Sequence, residues 1–337
     1  MKVAIIGAGA IGGLVGARLA LAGEDVTFIV RGDNLAAIRS QGIKLIESDG
    51  REQVASRVKA TSDYAQAGAQ DIVILAMKAH QVEAVANDVP QLFGPDTAVV
   101  TMQNGIPYWY FHKHGGAHEG ARVRSVDPGG QVIDKIPAER VIGCVVYPAS
   151  VLVAPGVIQH IEGDRFPVGE LDGSASDRVT RVSACFANAG FRAPVLDNIR
   201  AEIWLKLWGN LSFNPISGLS HSTLQDICQY APSRELAAAM MREAQSVAHK
   251  LGIEFRVSLE KRIAGAEKVG KHKTSMLQDI EAGRAPEIDA LVGAVVELAR
   301  LTETPTPHID TVYSLVKLLA KNMEAQRGQV RLQEVIQ

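Results

Sequence analysis

The stretch MKVAIIGAGAIGGLVGARLALAGEDVTFIVR, residues 1–31, decides the fold. Val3-Ala4-Ile5-Ile6 is a short apolar run that reads as a buried parallel strand. Gly7-Ala8-Gly9-Ala10-Ile11-Gly12 follows with no spacer. Residues 13–22, rich in Ala and Leu, read as a helix, and residues 25–30 as a second strand. Strand, glycine turn, helix and strand make the first half of a dinucleotide-binding fold. Gly7 permits the tight turn, Gly9 lets the backbone approach a pyrophosphate, and Gly12 lets the helix pack close to the strand. The helix N-terminus offers unpaired N–H groups and a partial positive charge to the anion. A glycine pattern alone also fits a tight turn in an alanine-rich core. The strand before it and the helix after it favour the dinucleotide.

The residue after the second strand refines the cofactor. Proteins that bind NAD usually carry Asp or Glu there, accepting from the ribose 2′-OH. Here Arg31 stands at that point, followed by Gly32-Asp33-Asn34. A guanidinium meets the 2′-phosphate of NADP with a planar, charge-assisted fork, so NADP is expected. Asp33 argues for NAD but lies beyond the strand end. The plainer alternative for Arg31 is a solvated loop charge.

Composition narrows the class. With 337 residues the chain is long enough for two domains. Its 35 Lys+Arg nearly balance 37 Asp+Glu, so no basic stripe points to nucleic acid. Cys144, Cys185 and Cys228 are odd in number and far apart, which fits reduced thiols in a cytoplasmic protein, without a disulfide frame or metal spacing. Lys2 and the apolar run up to Ala22 mimic a signal peptide, but the glycine spacing and Arg18 argue against one. No stretch reaches about 18 uncharged apolar residues, so no membrane span is expected.

Along the chain, residues 34–41 read as a short helix. Residues 43–47 and 54–60 read as strands that could pair as a hairpin. Residues 71–77 form a central strand ended by Lys78, and residues 80–93 look helical. Residues 97–102 form the next strand, ended by Gln103-Asn104-Gly105. Ligands bind along the carboxyl edge of an open parallel sheet, so Lys78 and Asn104 are expected to line the crevice of the glycine turn. Residues 107–130 break the pattern with Tyr108-Trp109-Tyr110-Phe111 and three histidines. The histidine spacing matches no metal motif, so an aromatic-anchored loop is expected, of a length often used as a lid. Strands at 141–147, 156–160 and 165–169, a helix at 177–189 and a strand at 191–196 complete this half. Asp197-Asn198 reads as an N-cap.

Beyond residue 198 the patterns are helical: 199–211, 233–251, 258–266, 288–301 and 308–327. The expected organisation is thus an α/β fold, a Rossmann-type dinucleotide-binding domain at 1–197, followed by an all-α domain at 198–337. The first of these helices is apolar on most faces, with Lys206, Asn210 and Asn214 at i, i+4 and i+8 as a polar stripe. A lysine taken out of water needs a partner or a task, and suits a proton donor. The bland alternative is a snorkelling lysine, with Asn214-Pro215 as a helix stop. The hydroxyls of Thr274-Ser275 could bind a carboxylate or simply cap a helix, and Glu287, after Pro286, suits a helix start; helix capping is the plain alternative for both.

Together these residues resemble the ketopantoate reductase (2-dehydropantoate 2-reductase) family. The resemblance runs in order through the glycine turn with Arg31, Lys78, Asn104-Gly105, the segment from Asn198 through Lys206 and Asn210 to Asn214-Pro215, Ser275-Met-Leu-Gln-Asp-Ile280, and Glu287-Ile-Asp289. It implies hydride transfer from NADPH to the 2-keto carbon of ketopantoate on the route to pantothenate. It implies Lys206 as general acid, oriented by Glu287. Asn210, Asn214 and Ser275 would bind substrate. Gly7, Ala8, Gly9, Ala10, Ile11, Gly12, Arg31, Lys78, Asn104 and Ala149 would hold the cofactor, and the site would lie in an interdomain cleft. The family often forms homodimers. Two departures concern the substrate: the aromatic loop at 107–130, and Ser220-His221-Ser222-Thr223-Leu224-Gln225, which lacks a further Asn the family carries. They keep open a related reductase of another 2-oxo acid; a non-enzymatic NADPH sensor is a further alternative, against which Lys206 with Glu287 speaks.

Overall fold

In the computed structural model, which describes residues 1–332, the opening stretch forms β1 (Lys2–Ile6), α1 (Ala10–Leu21) and β2 (Asp25–Ile29). The next elements are α2 (Gly32–Gln41), β3 (Ile43–Ile46), β4 (Glu52–Ala55), β5 (Lys59–Thr61), α3 (Tyr64–Ala67), β6 (Gln70–Leu75), α4 (Ala79–Val82) and β7 (Phe93–Thr101). They are followed by α5 (Gln131–Lys135), β8 (Val141–Cys144), β9 (Ala149–Ala154), β10 (Val157–Glu162), β11 (Val168–Gly169) and α6 (Asp177–Asn188). Seven strands make one sheet in the order β11-β8-β7-β6-β1-β2-β5. All its pairings are parallel except β11 with β8. The first unit is therefore α/β with a Rossmann-like parallel sheet.

A second, four-stranded sheet, β4-β3-β10-β9, corrects the strand reading. The stretch 54–60 is split between the two sheets. β10 lies in the small sheet rather than the large one, and β9 falls outside the expected strands. This small sheet explains why α1 is apolar on all sides. A Cβ on Gly16 would lie 2.3 Å from Phe28 of the large sheet, and one on Gly13 would lie 2.4 Å from Ile158 of the small one. Covered on both faces, α1 has no solvent stripe to reveal its packing partners. Arg18, at its last turn, reaches Glu47 Oε1 at 3.1 Å, and His160 Nδ1 lies 3.2 Å from Glu47 Oε2.

Other local readings also change. Residues 80–93 give only α4 and two short 3₁₀ turns, because Pro90 and the Asp88 turn interrupt the helix. Residues 191–196 make isolated bridges from Arg192 and Val195 rather than a strand. The loop at 107–130 is anchored by its aromatic residues, as expected: Trp109, Tyr110 and Phe111 are at most 1% exposed. Trp109 Nε1 donates to Thr101 Oγ1 at 3.0 Å, and Tyr108 Oη to the Ile136 carbonyl at 3.1 Å. His114 and His118 pack against the Phe111 ring, so these histidines extend an aromatic cluster.

The second unit contains α7 (Ile199–Ser220), α8 (Leu224–Gln229), α9 (Ala231–Lys250), α10 (Leu259–Lys268), α11 (Ser275–Glu281), a π-turn at Asp289–Gly293, α12 (Ala294–Leu301) and α13 (Pro307–Gln326). Two short segments, Asn104–Pro107 and Val123–Val126, group with these helices, while Gln103 and Tyr108 belong to the first unit. α7 does not stop at Asn214. It continues through Pro215 to Ser220, with Leu211, Phe213 and Ile216 buried on either side. Burial of that apolar surface offsets the roughly 3 kcal/mol that an interior proline costs. Trp204 and Trp208 are fully buried, and Trp208 Nε1 donates to the Met241 carbonyl at 2.7 Å, fixing α7 to α9.

Two stability tests follow from the packing of α1. Gly13→Ala is expected to lower the unfolding free energy by about 1–3 kcal/mol, because Ile158 cannot move aside freely. For Glu47, burial raises the carboxyl pKa, but Arg18 and then His160 outweigh it and hold it below its ordinary value. A carboxylate with a depressed folded pKa stabilises the fold above its unfolded value and loses that contribution as pH falls. Urea unfolding of Glu47→Gln should therefore show a loss of about 1–3 kcal/mol at pH 7 that shrinks below about pH 4.

Candidate active site

The glycine turn is shaped partly by its own packing and partly for something else. Gly7 has φ +95°, a left-handed backbone that glycine adopts without strain. A Cβ on Gly12 would lie 1.9 Å from the Gly7 carbonyl oxygen and 2.8 Å from Ala76 Cβ, so the approach of α1 to the end of β6 requires glycine there. Gly9 differs: an added Cβ would meet nothing within 4 Å. Packing does not demand glycine at that position, and the open space in front of it fits a ligand drawn close to the backbone. α1 begins immediately after, with no side-chain cap and no acidic residue in its first turn. Its leading N–H groups suit an anion such as a pyrophosphate. These residues fit a dinucleotide.

Arg31 occupies the N-cap position of α2 and is exposed, with no ion-pair partner among the described residues. Asp33 lies in the first turn of α2, where the helix field favours a carboxylate, which accounts for it without a ribose. Lys78 is half-buried at the N-cap position of α4. Ala149 does not end a strand of the large sheet; it opens β9 in the small one, opposite Glu162. Two residues that hold this edge were not singled out from the sequence. Gln103 Nε2 donates to the Leu75 carbonyl at 2.8 Å and the Met77 carbonyl at 3.0 Å, tying the ends of β6 and β7 together. Asn34 donates to the Ala8 carbonyl at 3.2 Å and accepts from Gly156 N at 2.9 Å, bracing the glycine turn against the β9–β10 connection. Polar residues just past strand ends signal such braces, but their partners depend on sheet order.

In the second unit, Lys206, Asn210 and Asn214 lie at successive turns of α7. Lys206 Nζ donates to Asn104 Oδ1 at 2.7 Å. Lys206 and Asn210 are half-buried and Asn214 is buried. Among the described residues the carboxamides of Asn210 and Asn214 make no hydrogen bond. Neither amide is among the buried polar atoms that lack a partner, so both stay accessible, and this polar stripe is suited to a polar ligand. Ser275 is the exposed first residue of α11. The cap of that helix is Thr274, whose hydroxyl accepts from Leu277 N at 3.3 Å. Glu287 is half-buried, two residues before the π-turn. All three cysteines are free and buried, and burial pushes the Cys185 thiol up to about 12, which removes thiolate chemistry at neutral pH. The arrangement thus offers one amine with a fixed orientation beside carboxamides, which suits delivery of a proton to a polarised oxygen.

Two family models match the chain. The model described as ketopantoate reductase PanE/ApbA matches residues 3–173, and that of its C-terminal part matches residues 198–320. A 2-dehydropantoate 2-reductase of Mesorhizobium japonicum is 53% identical over 321 residues, covering 95% of this chain and 98% of that protein. One from Pyrococcus horikoshii is 30% identical, covering 94% and 97%. Among solved structures, a protein of Ralstonia solanacearum MolK2, provisionally described as a ketopantoate reductase, is 41% identical with a TM-score of 0.91, covering 96% of this chain and 98% of that one. With family models matched along most of its length and relatives that share its full extent, the chain belongs to the ketopantoate reductase family.

Proposed function

We propose that this protein is an NADPH-dependent oxidoreductase that reduces 2-dehydropantoate to pantoate. The observation that carries the reading is the 2.7 Å hydrogen bond that aims the Lys206 amine from Asn104, in a chain of this family. Residues 1–197 serve as the NADP-binding domain and residues 198–337 as the substrate domain. The glycine turn Gly7, Ala8, Gly9, Ala10, Ile11 and Gly12, with Arg31, Lys78, Asn104 and Ala149, holds the nicotinamide dinucleotide. When bound, that cofactor supplies the hydride for the 2-keto carbon.

The protein's own groups do the rest. An ammonium carries three donors, and the bond to Asn104 orients the Lys206 amine for a hydrogen bond to the keto oxygen. Its charge stabilises the oxygen as negative charge develops, and its proton completes the hydroxyl. Glu287 orients Lys206 and contacts the substrate hydroxyl. Asn210 and Asn214 bind the polar substituents of the substrate, and Ser275 its carboxylate. Arg31 selects NADPH by pairing with the 2′-phosphate.

The buried free thiols Cys144, Cys185 and Cys228 suit a reducing compartment, so a cytoplasmic location is part of this reading. Among the described residues no helix is long and apolar enough to cross a membrane. Leu315 and Leu318 are more than half exposed and one turn apart on α13, which supports a homodimer through the helical domain. Sedimentation at micromolar concentration is expected to give a dimer, and a monomer alone would contradict it.

Optical measurement of NADPH oxidation with 2-dehydropantoate, beside other 2-oxo acids and with NADH as control, tests the activity. Rapid turnover of 2-dehydropantoate with NADPH is expected; preference for another 2-oxo acid would move the substrate. Lys206→Ala is expected to lower kcat by about 10²–10⁴-fold while NADPH still binds. Arg31→Ala is expected to raise the KM for NADPH by about 10–100-fold and to leave that for NADH nearly unchanged, since a charge-assisted contact is worth about 1.5–3 kcal/mol. Equal loss with both cofactors would overturn the role of Arg31.

A further inference from the structure

The π-turn at Asp289–Gly293 stands next to Glu287 and is clamped from α13. Asp289 Oδ1 accepts from Tyr313 Oη at 2.8 Å and from Lys317 Nζ at 2.7 Å. Tyr313 and Lys317 are one helical turn apart, so α13 presents both donors on one face. Gly293 makes the room: a Cβ there would lie 2.9 Å from Tyr313 Oη and 3.3 Å from Asp289 Oδ1. Burial, and then the bond to Asp289, push the Tyr313 phenol well above its ordinary pKa, so its hydroxyl remains a donor throughout the neutral range.

The widened turn has a local consequence. In an α-helix Ala294 N would donate to the Ala290 carbonyl, four residues back. Here Ala294 N donates to the Asp289 carbonyl, five residues back. The Ala290 carbonyl is relieved of that partner and accepts from Ile106 N at 3.0 Å. The approach is close: Gly105 has φ +90°, and a Cβ there would lie 2.1 Å from the Ala290 oxygen. The residue before Gly105 is Asn104, whose Oδ1 holds Lys206 Nζ. π-Turns are rare and costly, and concentrate at functional sites.

We propose that Asp289, held by Tyr313 and Lys317, is a positioning residue for Lys206: it maintains the π-turn that frees the Ala290 carbonyl to seat the Asn104–Ile106 segment, and with it the acceptor that aims the lysine. The same turn fixes the chain direction at Glu287, whose carbonyl accepts from Leu291 N at 3.3 Å. This inference rests on the reductase reading for its kinetic consequence. It rests on geometry alone for the exposure of the Lys206 amine.

The test uses the full-length protein with Tyr313→Phe, Asp289→Ala and Asp289→Asn. Arg300→Met, which breaks the Arg300–Asp310 ion pair elsewhere in the same unit, serves as control. Thermal melting identifies variants that fold, and Tyr313→Phe, a single hydroxyl deletion, keeps the test alive if Asp289→Ala does not. The first readout is the rate at which trinitrobenzenesulfonate modifies Lys206, followed by peptide mass spectrometry. Tyr313→Phe and Asp289→Ala are expected to raise it severalfold. Asp289→Asn, which keeps an acceptor oxygen, and Arg300→Met are expected to match the wild type. The second readout is steady-state kinetics with 2-dehydropantoate and NADPH. Tyr313→Phe and Asp289→Ala are expected to lower kcat about tenfold, with the KM for the 2-oxo acid and the affinity for NADPH within about twofold, and Asp289→Asn is expected to restore most of the loss. Wild-type labelling and wild-type kcat in both Tyr313→Phe and Asp289→Ala would overturn the inference, while turnover that depends on Lys206 would leave the reductase reading in place. Lack of turnover by the wild type would overturn that reading, and the labelling rates would still decide the positioning role.

Discussion

The hydrogen bond from Lys206 to Asn104 is the contact on which the proposed catalytic site depends. A lysine on a mostly buried helix loses hydration, and its long side chain loses rotamer entropy if it is held in one place. Asn104 offsets part of both costs with a neutral acceptor at 2.7 Å. The segment that carries Asn104 joins the helical unit although the chain on both sides of it belongs to the other unit. That detour requires glycine at 105, because the Ala290 carbonyl lies where a side chain would start. The lysine, its acceptor and the π-turn behind them therefore form one connected assembly.

The dinucleotide half obeys a different constraint, close backbone approach. Gly12, Gly13 and Gly16 each face something within 3 Å of where a Cβ would stand: the Gly7 carbonyl, Ile158 and Phe28. Gly9 alone among the glycines at 9, 12, 13 and 16 faces open space. One short helix thus packs against two sheets with three of these glycines and leaves the fourth for a ligand. The cradle is braced from two sides: the ends of β6 and β7 are tied by Gln103, and the turn is tied to the β9–β10 connection by Asn34.

Much of this was legible in the amino-acid sequence where local chemistry decides. The strand–glycine–helix–strand opening, the change from strand to helix patterns near residue 198, and the polar stripe of α7 follow from periodicities that tertiary contacts reinforce. Other features depend on partners far along the chain. The small sheet joins β3 and β4 to β9 and β10, more than 90 residues apart, and no local pattern distinguishes its strands from those of the large sheet. Pro215 signals a stop to any local rule, yet apolar burial carries α7 through it. The run Tyr108-Trp109-Tyr110-Phe111 marks an aromatic anchor in the sequence, but not which elements receive it; its rings point into the core. The place of Asn104 after a strand suggests a cofactor contact. Its bond to Lys206, 102 residues away, becomes visible only when the segment is placed.

The most direct test of the central claim is a double-mutant cycle on kcat with Lys206→Ala, Asn104→Ala and the double variant. If Asn104 acts by aiming Lys206, removing Asn104 has little further effect once the lysine is gone, and the two losses are strongly non-additive. Additive losses would show that Asn104 and Lys206 act independently and would contradict the account.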